Sequence, residues 1–157
     1  MLPKIYIETT IVSYLTGRPS RSILARAHQV VTKRWWDERR EHFDLYSSQL
    51  VLDEAARGDA DAAKRRLDLL AEPKVLRLTD DAKELARALI AGNHVPANQA
   101  EDALHISLAA VHGMKYLLTW NCKHIANAEI RPGVEQLCLK KNYVCPVICT
   151  PEELMGA

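Results

Sequence analysis

The sequence carries no G-x-G-x-x-G turn and no Walker loop, which argues against a dinucleotide or nucleoside triphosphate cradle. It has no G-x-S-x-G elbow, and none of its six histidines stands in an H-E-x-x-H arrangement. The four cysteines, Cys122, Cys138, Cys145 and Cys149, make no C-x-x-C pair. Cys122 and His124 lack a matching second half, so reduced, mostly buried thiols are expected rather than a zinc site. The longest uncharged apolar run, Ala103 to Met114, contains His105 and His112 and falls short of the roughly 20 residues that cross a bilayer. Lys4 and Glu8 interrupt the apolar stretch at the start of the chain before an export signal forms. A cytoplasmic protein is therefore expected. Six Gly and seven Pro are too few for a fibrous or low-complexity chain. Nor is there an excess of either charge: 21 Lys and Arg face 20 Asp and Glu, which excludes a bulk polycation but not a local basic face.

What is present is a chain of 157 residues, 48% hydrophobic, of a length to form a single domain over 1–157. Short β-rich runs alternate with helical ones. Lys4 to Glu8 alternates and reads as a first strand; Ser20 to Phe43 is predicted as a helix with Ile23, Leu24, Ala27, Val30, Val31 and Trp35 on one face. Leu45 to Ser48 is a second strand, followed by helices at Gln49 to Arg57 and Ala60 to Ala71 and a third strand at Val75 to Leu78. Thr79 offers an N-cap for a helix reaching Ile90, and Asn98 with Glu101 has capping-box spacing for a helix reaching His112. Tyr116 to Thr119 and Val147 to Cys149 complete the strands, and Thr150-Pro-Glu-Glu153 starts a final helix. Strands separated by helices imply a three-layer α/β/α domain with a mostly parallel sheet of about five strands.

Ligands of such sheets gather beyond the carboxyl ends of the strands. There the sequence places Glu8, directly before Thr9 and Thr10, and Asn121, two residues after the fourth strand. Glu54 sits among Leu52 and Ala55 on its helix, and Asp102 opens a helix that is otherwise almost wholly apolar. A solvated strand end also explains Glu8, and complementing the helix dipole also explains Asp102. The distinctive feature is three carboxylates at element ends in a chain with no nucleophile constellation.

These segments resemble the PIN domain family. Ile5-Tyr-Ile-Glu-Thr-Thr-Ile-Val-Ser-Tyr-Leu15 is similar to the family's opening strand, Glu54-Ala-Ala-Arg-Gly-Asp59 to its second acidic motif, Glu101-Asp-Ala-Leu-His-Ile-Ser-Leu-Ala109 to its third, and Tyr116-Leu-Leu-Thr-Trp-Asn121 to its fourth. The motifs run in the family's order, and the relatives they suggest are VapC-like toxins of bacterial type II toxin–antitoxin systems. The resemblance implies a metal-dependent nuclease acting on RNA, a Mg²⁺ or Mn²⁺ cofactor, a homodimer and a small antitoxin partner. It carries over Glu8, Glu54 and Asp102 as metal ligands or supports of metal-bound water, and Thr10 as a hydroxyl that shapes the site.

The chemistry is consistent with these residue types. Hard cations take oxygen ligands, and Mg²⁺ binds through few carboxylates while keeping several waters. A cation also relieves repulsion among crowded acids. Two departures matter. Glu8 stands where the family usually has Asp, and Asn121 stands where it often has an acid, so the site lacks one negative charge. Asn121 therefore motivates an alternative, a catalytically impaired PIN-like module that binds nucleic acid or protein. A DNA-directed nuclease of the same fold is equally compatible with the motifs.

The remaining candidates have ordinary explanations as well. His105, one turn after Asp102, either orients a group at the site or is a satisfied core histidine. Lys123 and His124 either meet a phosphate or lie in a solvated loop. Between residues 18 and 40, seven basic residues face two acidic ones, and Arg57 and Lys64-Arg65-Arg66 add more. Such a surface tracks an RNA backbone, or is simply the wet side of amphipathic helices. Trp35 and Trp36 are candidates for base stacking, with Trp35 better suited to a core or dimer contact.

Overall fold

The β-branched and aromatic run Lys4-Ile-Tyr-Ile forms the centre of the sheet because it can be covered on both faces: Ile5, Tyr6 and Ile7 are all fully buried. In the computed structural model, which describes residues 1–157, the strands are β1 (Lys4–Ile7), β2 (Asp44–Ser48), β3 (Lys74–Leu76), β4 (Tyr116–Leu118) and β5 (Val147–Cys149). They form one sheet in the order β3-β2-β1-β4-β5, with every pair parallel. The helices are α1 (Thr9–Thr16), α2 (Ile23–Arg39), α3 (Gln49–Ala55), α4 (Ala60–Leu69), α5 (Asp80–Ala91), α6 (Ala100–Val111) and α7 (Arg131–Lys140). One layer is made by α1 packed on α2, α3 and α4; the other by α5 packed on α6 and α7. This is the expected three-layer α/β/α arrangement. The chain leaves β1 toward β2 and β3, then returns to β4 and β5 on the other side of β1. The carboxyl ends of β1 and β4 therefore flank the topological switch point, the usual ligand crevice of an open parallel sheet.

Several local features differ from the sequence reading. The first strand ends at Ile7, and Glu8 becomes the N-cap of α1, its side chain accepting the Thr10 amide. Helix α1 is absent from the sequence reading because Thr9, Thr10, Ile11 and Val12 are β-branched and Glu is not a favoured cap. The long helix starts at Ile23 and yields to a 3₁₀ turn at Arg40–His42. Of the six residues on its apolar face only Trp35 is buried, and the side packed on the protein carries Gln29, Thr32, Trp35 and Trp36. Trp35 is fully buried, but Ile23, Leu24 and Val30 are 90%, 68% and 51% exposed, because α1 and the C-terminal turn cover only part of α2. Trp36 is buried as well, which removes both tryptophans as base-stacking surfaces.

The capping box proposed for α6 does not form. Asn98 lies in a 3₁₀ turn, Ala97–Gln99, and the cap residue Gln99 makes no side-chain cap bond. Helix α7 is also absent from the sequence reading: Pro132 suits a first turn, but Gly133 and an uncapped start hide the signal. Thr79 caps α5 as expected, and Thr150 with Glu153 forms a complete capping box, though on a 3₁₀ turn, Pro151–Leu154. All four cysteines are free; Cys138 and Cys149 are buried and Cys122 is exposed. No helix is long and apolar enough to cross a membrane.

Candidate active site

Glu8 is the anchor of the switch point. It follows β1, where its amide donates to the Leu118 carbonyl of β4 (3.1 Å), and it is only 4% exposed. A carboxylate so buried survives only if donors replace water. Its Oε1 accepts from the Thr10 amide (3.1 Å), the Thr10 hydroxyl and the Thr119 hydroxyl (2.7 Å), while Oε2 accepts no protein hydrogen bond. The two hydroxyls are themselves fixed: Thr10 Oγ1 accepts from the Trp120 amide (2.9 Å) and Thr119 Oγ1 from the Asn121 amide (2.9 Å). The Glu-Thr-Thr opening and the Thr-Trp-Asn loop thus interlock across the switch point.

Asn121 extends the network. Its Nδ2 donates to Asp102 Oδ1 (3.1 Å) at the start of α6, and its Oδ1 accepts from the His124 amide (3.0 Å). The amide is engaged at both ends, so Asn121 joins Asp102 to the loop. Asp102 is half-buried. Burial raises its carboxyl above the usual range and Glu54 adds to that, against the Asn121 hydrogen bond and the nearby His105 and His124. Trp120 ties the same loop to α2, its Nε1 donating to Thr32 (2.7 Å) and its ring stacked on His28 at 3.9 Å between centroids.

Glu54, from the last turn of α3, completes the group. Its Oε1 accepts from the Thr9 hydroxyl (2.6 Å) and from His105 Nε2 (2.6 Å) on α6, and its Oε2 is left without a hydrogen-bond donor. Burial opposes the Glu54 charge, but His105, Thr9 and the adjoining Glu101 outweigh it and bring the carboxyl down to about 2. His105 is fully buried. Burial lowers its basicity, and Glu54, Glu8 and Asp102 more than reverse that, so its net shift is upward.

A stability prediction follows for the cation-free protein. The depressed Glu54 contributes stability fully above its ordinary 4.5, lost as pH falls through about 2. The raised His105 contributes stability fully below its ordinary 6.5, lost as pH rises through its folded value. Urea midpoints in EDTA are therefore expected to show the largest advantage of the wild type over His105→Gln between about pH 4.5 and 6.5. A pH-independent difference would contradict this pairing.

Hydrogen bonds join Glu8, Thr10, Thr119, Asn121 and Asp102 in one network. Glu54 belongs to a second one, with Thr9, His105 and Tyr6, set beside the first because Thr9 adjoins Thr10 on α1 and His105 stands one turn after Asp102 on α6. Thr9, Thr119 and Tyr6 have no distinguishing signal in the sequence beyond their place in the motifs, and His105 is both a core residue and a partner of the site. Glu101, expected as a cap, instead pairs with Arg57 (2.7 Å and 3.2 Å) at the exposed rim. Lys123 lies in the exposed loop, and His124 meets the network through its amide. No three Asp, Glu, His or Cys side chains stand in the positions of a closed metal-ligand set. The donor set is nevertheless all oxygen, and Glu8, Glu54 and Asp102 each commit one oxygen to the protein and leave the other free. That fits a hard cation that keeps much of its water shell and touches few carboxylates. It does not fit a fully chelated soft metal.

An acid-and-hydroxyl cluster at the switch point of a five-stranded parallel sheet, between two helical layers, defines the class of α/β protein to which this chain is assigned. The family model described as PIN domain matches residues 5–123, and the chain belongs to the PIN domain family. No curated protein matches the sequence significantly. Two solved structures share the fold. VapC20 of Mycobacterium tuberculosis, described as a sarcin-ricin loop cleaving toxin, is 17% identical over 77% of this chain and 92% of its own, with a TM-score of 0.58. VapBC2 of Rickettsia felis, bound to a DNA fragment from its promoter, is 15% identical over 93% of this chain and 98% of its own, also with a TM-score of 0.58.

Proposed function

We propose that this chain is an endoribonuclease that uses Mg²⁺ or Mn²⁺, and the toxin half of a toxin–antitoxin pair. The observation that carries the reading is the network joining Glu8 and Asp102 at the switch point, with Glu54 held beside it by Thr9 and His105 and one oxygen of each acid unused by the protein. In this reading those three acids hold the cation, Thr10 and Thr119 fix Glu8, and Asn121 positions Asp102. A bound divalent cation lowers the pKa of water and neutralises charge on a phosphodiester. The protein's own groups orient the acids and exclude competing donors. RNA as the substrate is favoured by the similarly folded VapC20, a sarcin-ricin loop cleaving toxin. The basic residues of α2 and α4 supply attraction for a phosphate backbone, though Lys33, Arg34 and Lys64 are partly spent on Asp37, Glu38 and Asp68, and Arg57 on Glu101.

The reading includes the whole chain acting as one domain, a cytoplasmic location, a homodimer and a small antitoxin. The VapBC2 structure favours an antitoxin partner, and the exposed Ile23, Leu24 and Val30 on α2 are apolar area that a protein partner would cover. The alternative of a binding module without catalysis draws on Asn121, whose amide is occupied by Asp102 and His124.

One experiment tests the reading. Single-stranded RNA and DNA of the same sequence are incubated with the protein in MnCl₂, MgCl₂ or EDTA. Internal cleavage of RNA with either cation, and none in EDTA, is expected. RNA binding without cleavage favours the module, and cleavage of DNA alone moves the substrate class.

A further inference from the structure

Tyr6, at the centre of β1, and His105, in the middle of α6, are buried polar side chains at 0% and 1% exposure. The cation reading above uses neither of them. Each is expensive in a sheet core unless every polar atom is satisfied. Here all of them are, through one unbroken chain. Ser48, the cap of α3, accepts the Val51 amide at 3.2 Å. Ser48 Oγ lies 2.8 Å from Tyr6 Oη, Tyr6 Oη lies 2.7 Å from His105 Nδ1, and His105 Nε2 lies 2.6 Å from Glu54 Oε1.

With the His105 ring neutral, the hydrogens in this chain have one self-consistent direction; protonation of the ring keeps the hydrogen on Nε2 toward Glu54 and makes Nδ1 a donor to Tyr6 Oη. Ser48 Oγ already accepts from Val51, and its own hydrogen has Tyr6 Oη as partner. The Tyr6 hydrogen then goes to His105 Nδ1, and the ring carries its hydrogen on Nε2, facing Glu54. The opposite direction leaves the buried Ser48 hydroxyl without an acceptor. A carboxylate only accepts, so the chain ends there as a donor aimed at Oε1. The Thr9 hydroxyl reaches the same oxygen from α1. Glu54 has three rotatable side-chain bonds, and two donors on one oxygen leave Oε2 as the only oxygen open to an outside ligand.

We propose that Tyr6 and His105 are positioning residues that act through this buried hydrogen-bond chain to hold Glu54 with Oε2 presented to a divalent cation. The inference rests on the cation reading of the site. Without the Tyr6 hydroxyl, His105 Nδ1 is left buried with no donor, and the ring loses the contact that fixes its position and tilt behind Glu54. Partners that orient a ligating side chain in this way typically change metal affinity about 10–100-fold when removed.

The test is calorimetric titration of the full-length protein with MnCl₂, beside thermal unfolding in EDTA, for the wild type, Tyr6→Phe, His105→Phe and His105→Gln. Tyr6→Phe is expected to weaken Mn²⁺ binding about 10-fold or more. His105→Phe weakens it at least as much, and His105→Gln, whose amide nitrogen can stand near the Nε2 position, recovers most of the loss. If His105→Phe does not fold, Tyr6→Phe and His105→Gln carry the comparison. A purely structural role lowers the unfolding temperature in EDTA and leaves Mn²⁺ affinity unchanged, which overturns the proposal alone. Failure of the wild type to bind Mn²⁺ overturns the cation reading and this proposal with it.

Discussion

Glu8→Gln is expected to abolish cation-dependent cleavage, with a loss of at least about 100-fold in rate, while the protein in EDTA stays as stable as the wild type or becomes more stable. The argument has two halves of opposite sign. The new amide oxygen can still accept from Thr10 and Thr119, so the local fold has little reason to change. The unused oxygen, however, becomes an NH₂ that presents hydrogens where a cation would sit. One unit charge about 4 Å from a divalent ion is worth roughly 8 kcal/mol at an effective dielectric of about 20. Losing even a third of that is about 100-fold in affinity. Conversely, in EDTA the substitution removes one of three neighbouring negative charges, a group crowded enough that Glu54 contributes to raising Asp102. Added Mn²⁺ should therefore raise the unfolding temperature of the wild type and leave that of Glu8→Gln unmoved. Equal Mn²⁺-induced shifts in both proteins would contradict the assignment of Glu8.

The second large effect is expected at Asp102→Asn, again a loss of at least about 100-fold in cleavage by the same Coulomb argument. An amide oxygen at this position can still accept the Asn121 Nδ2 hydrogen, so the tie between α6 and the Thr-Trp-Asn loop survives. Only the charge and the acceptor character of the free oxygen go. Asp102 therefore separates charge from architecture more cleanly than truncation to Ala, which would also release Asn121. Circular dichroism and urea midpoints are expected to match the wild type in EDTA, with cleavage lost. Retained cleavage would place the cation elsewhere.

How much of this was legible in the sequence differs by element. The strands and their parallel arrangement were legible from short apolar runs separated by helices: Ile5, Tyr6, Ile7, Leu117 and Leu118 are all fully buried, as such runs require, whereas the order of the strands has no signal in the sequence. Glu8 and Asp102 were legible because they are acids set against apolar neighbours at element ends. Helix α1 was not, because its first four residues are β-branched and its cap is a Glu that folds back on Thr10. Exposure along α2 was not legible either. Periodicity identifies an apolar face but not whether a neighbour covers it, and Ile23 and Leu24 lie outside the layer.

Within the site, the hydroxyl partners were hidden for a different reason. Thr119 and Glu8 are 111 positions apart, and Tyr6 and His105 are 99 apart. Nothing in local spacing reports such pairs; only the sheet register, which sets Tyr6 beside Leu117 on one side and Tyr46 on the other, brings them together. From the sequence Asn121 is only a position where a family acid is missing. Its two hydrogen bonds instead make it the joint between Asp102 and the loop, a role that needs an amide, since a carboxylate has no hydrogen to give Asp102.

The central claim is that Glu8 and Asp102 serve a single cation-dependent cleavage site. Its most direct test is a side-by-side measurement of RNA cleavage rates in MnCl₂ for wild type, Glu8→Gln and Asp102→Asn, all purified identically so that host nuclease contributes equally. Cleavage by the wild type, with each variant reduced at least about 100-fold, is the predicted result. Cleavage that persists at the wild-type rate in both variants would contradict it.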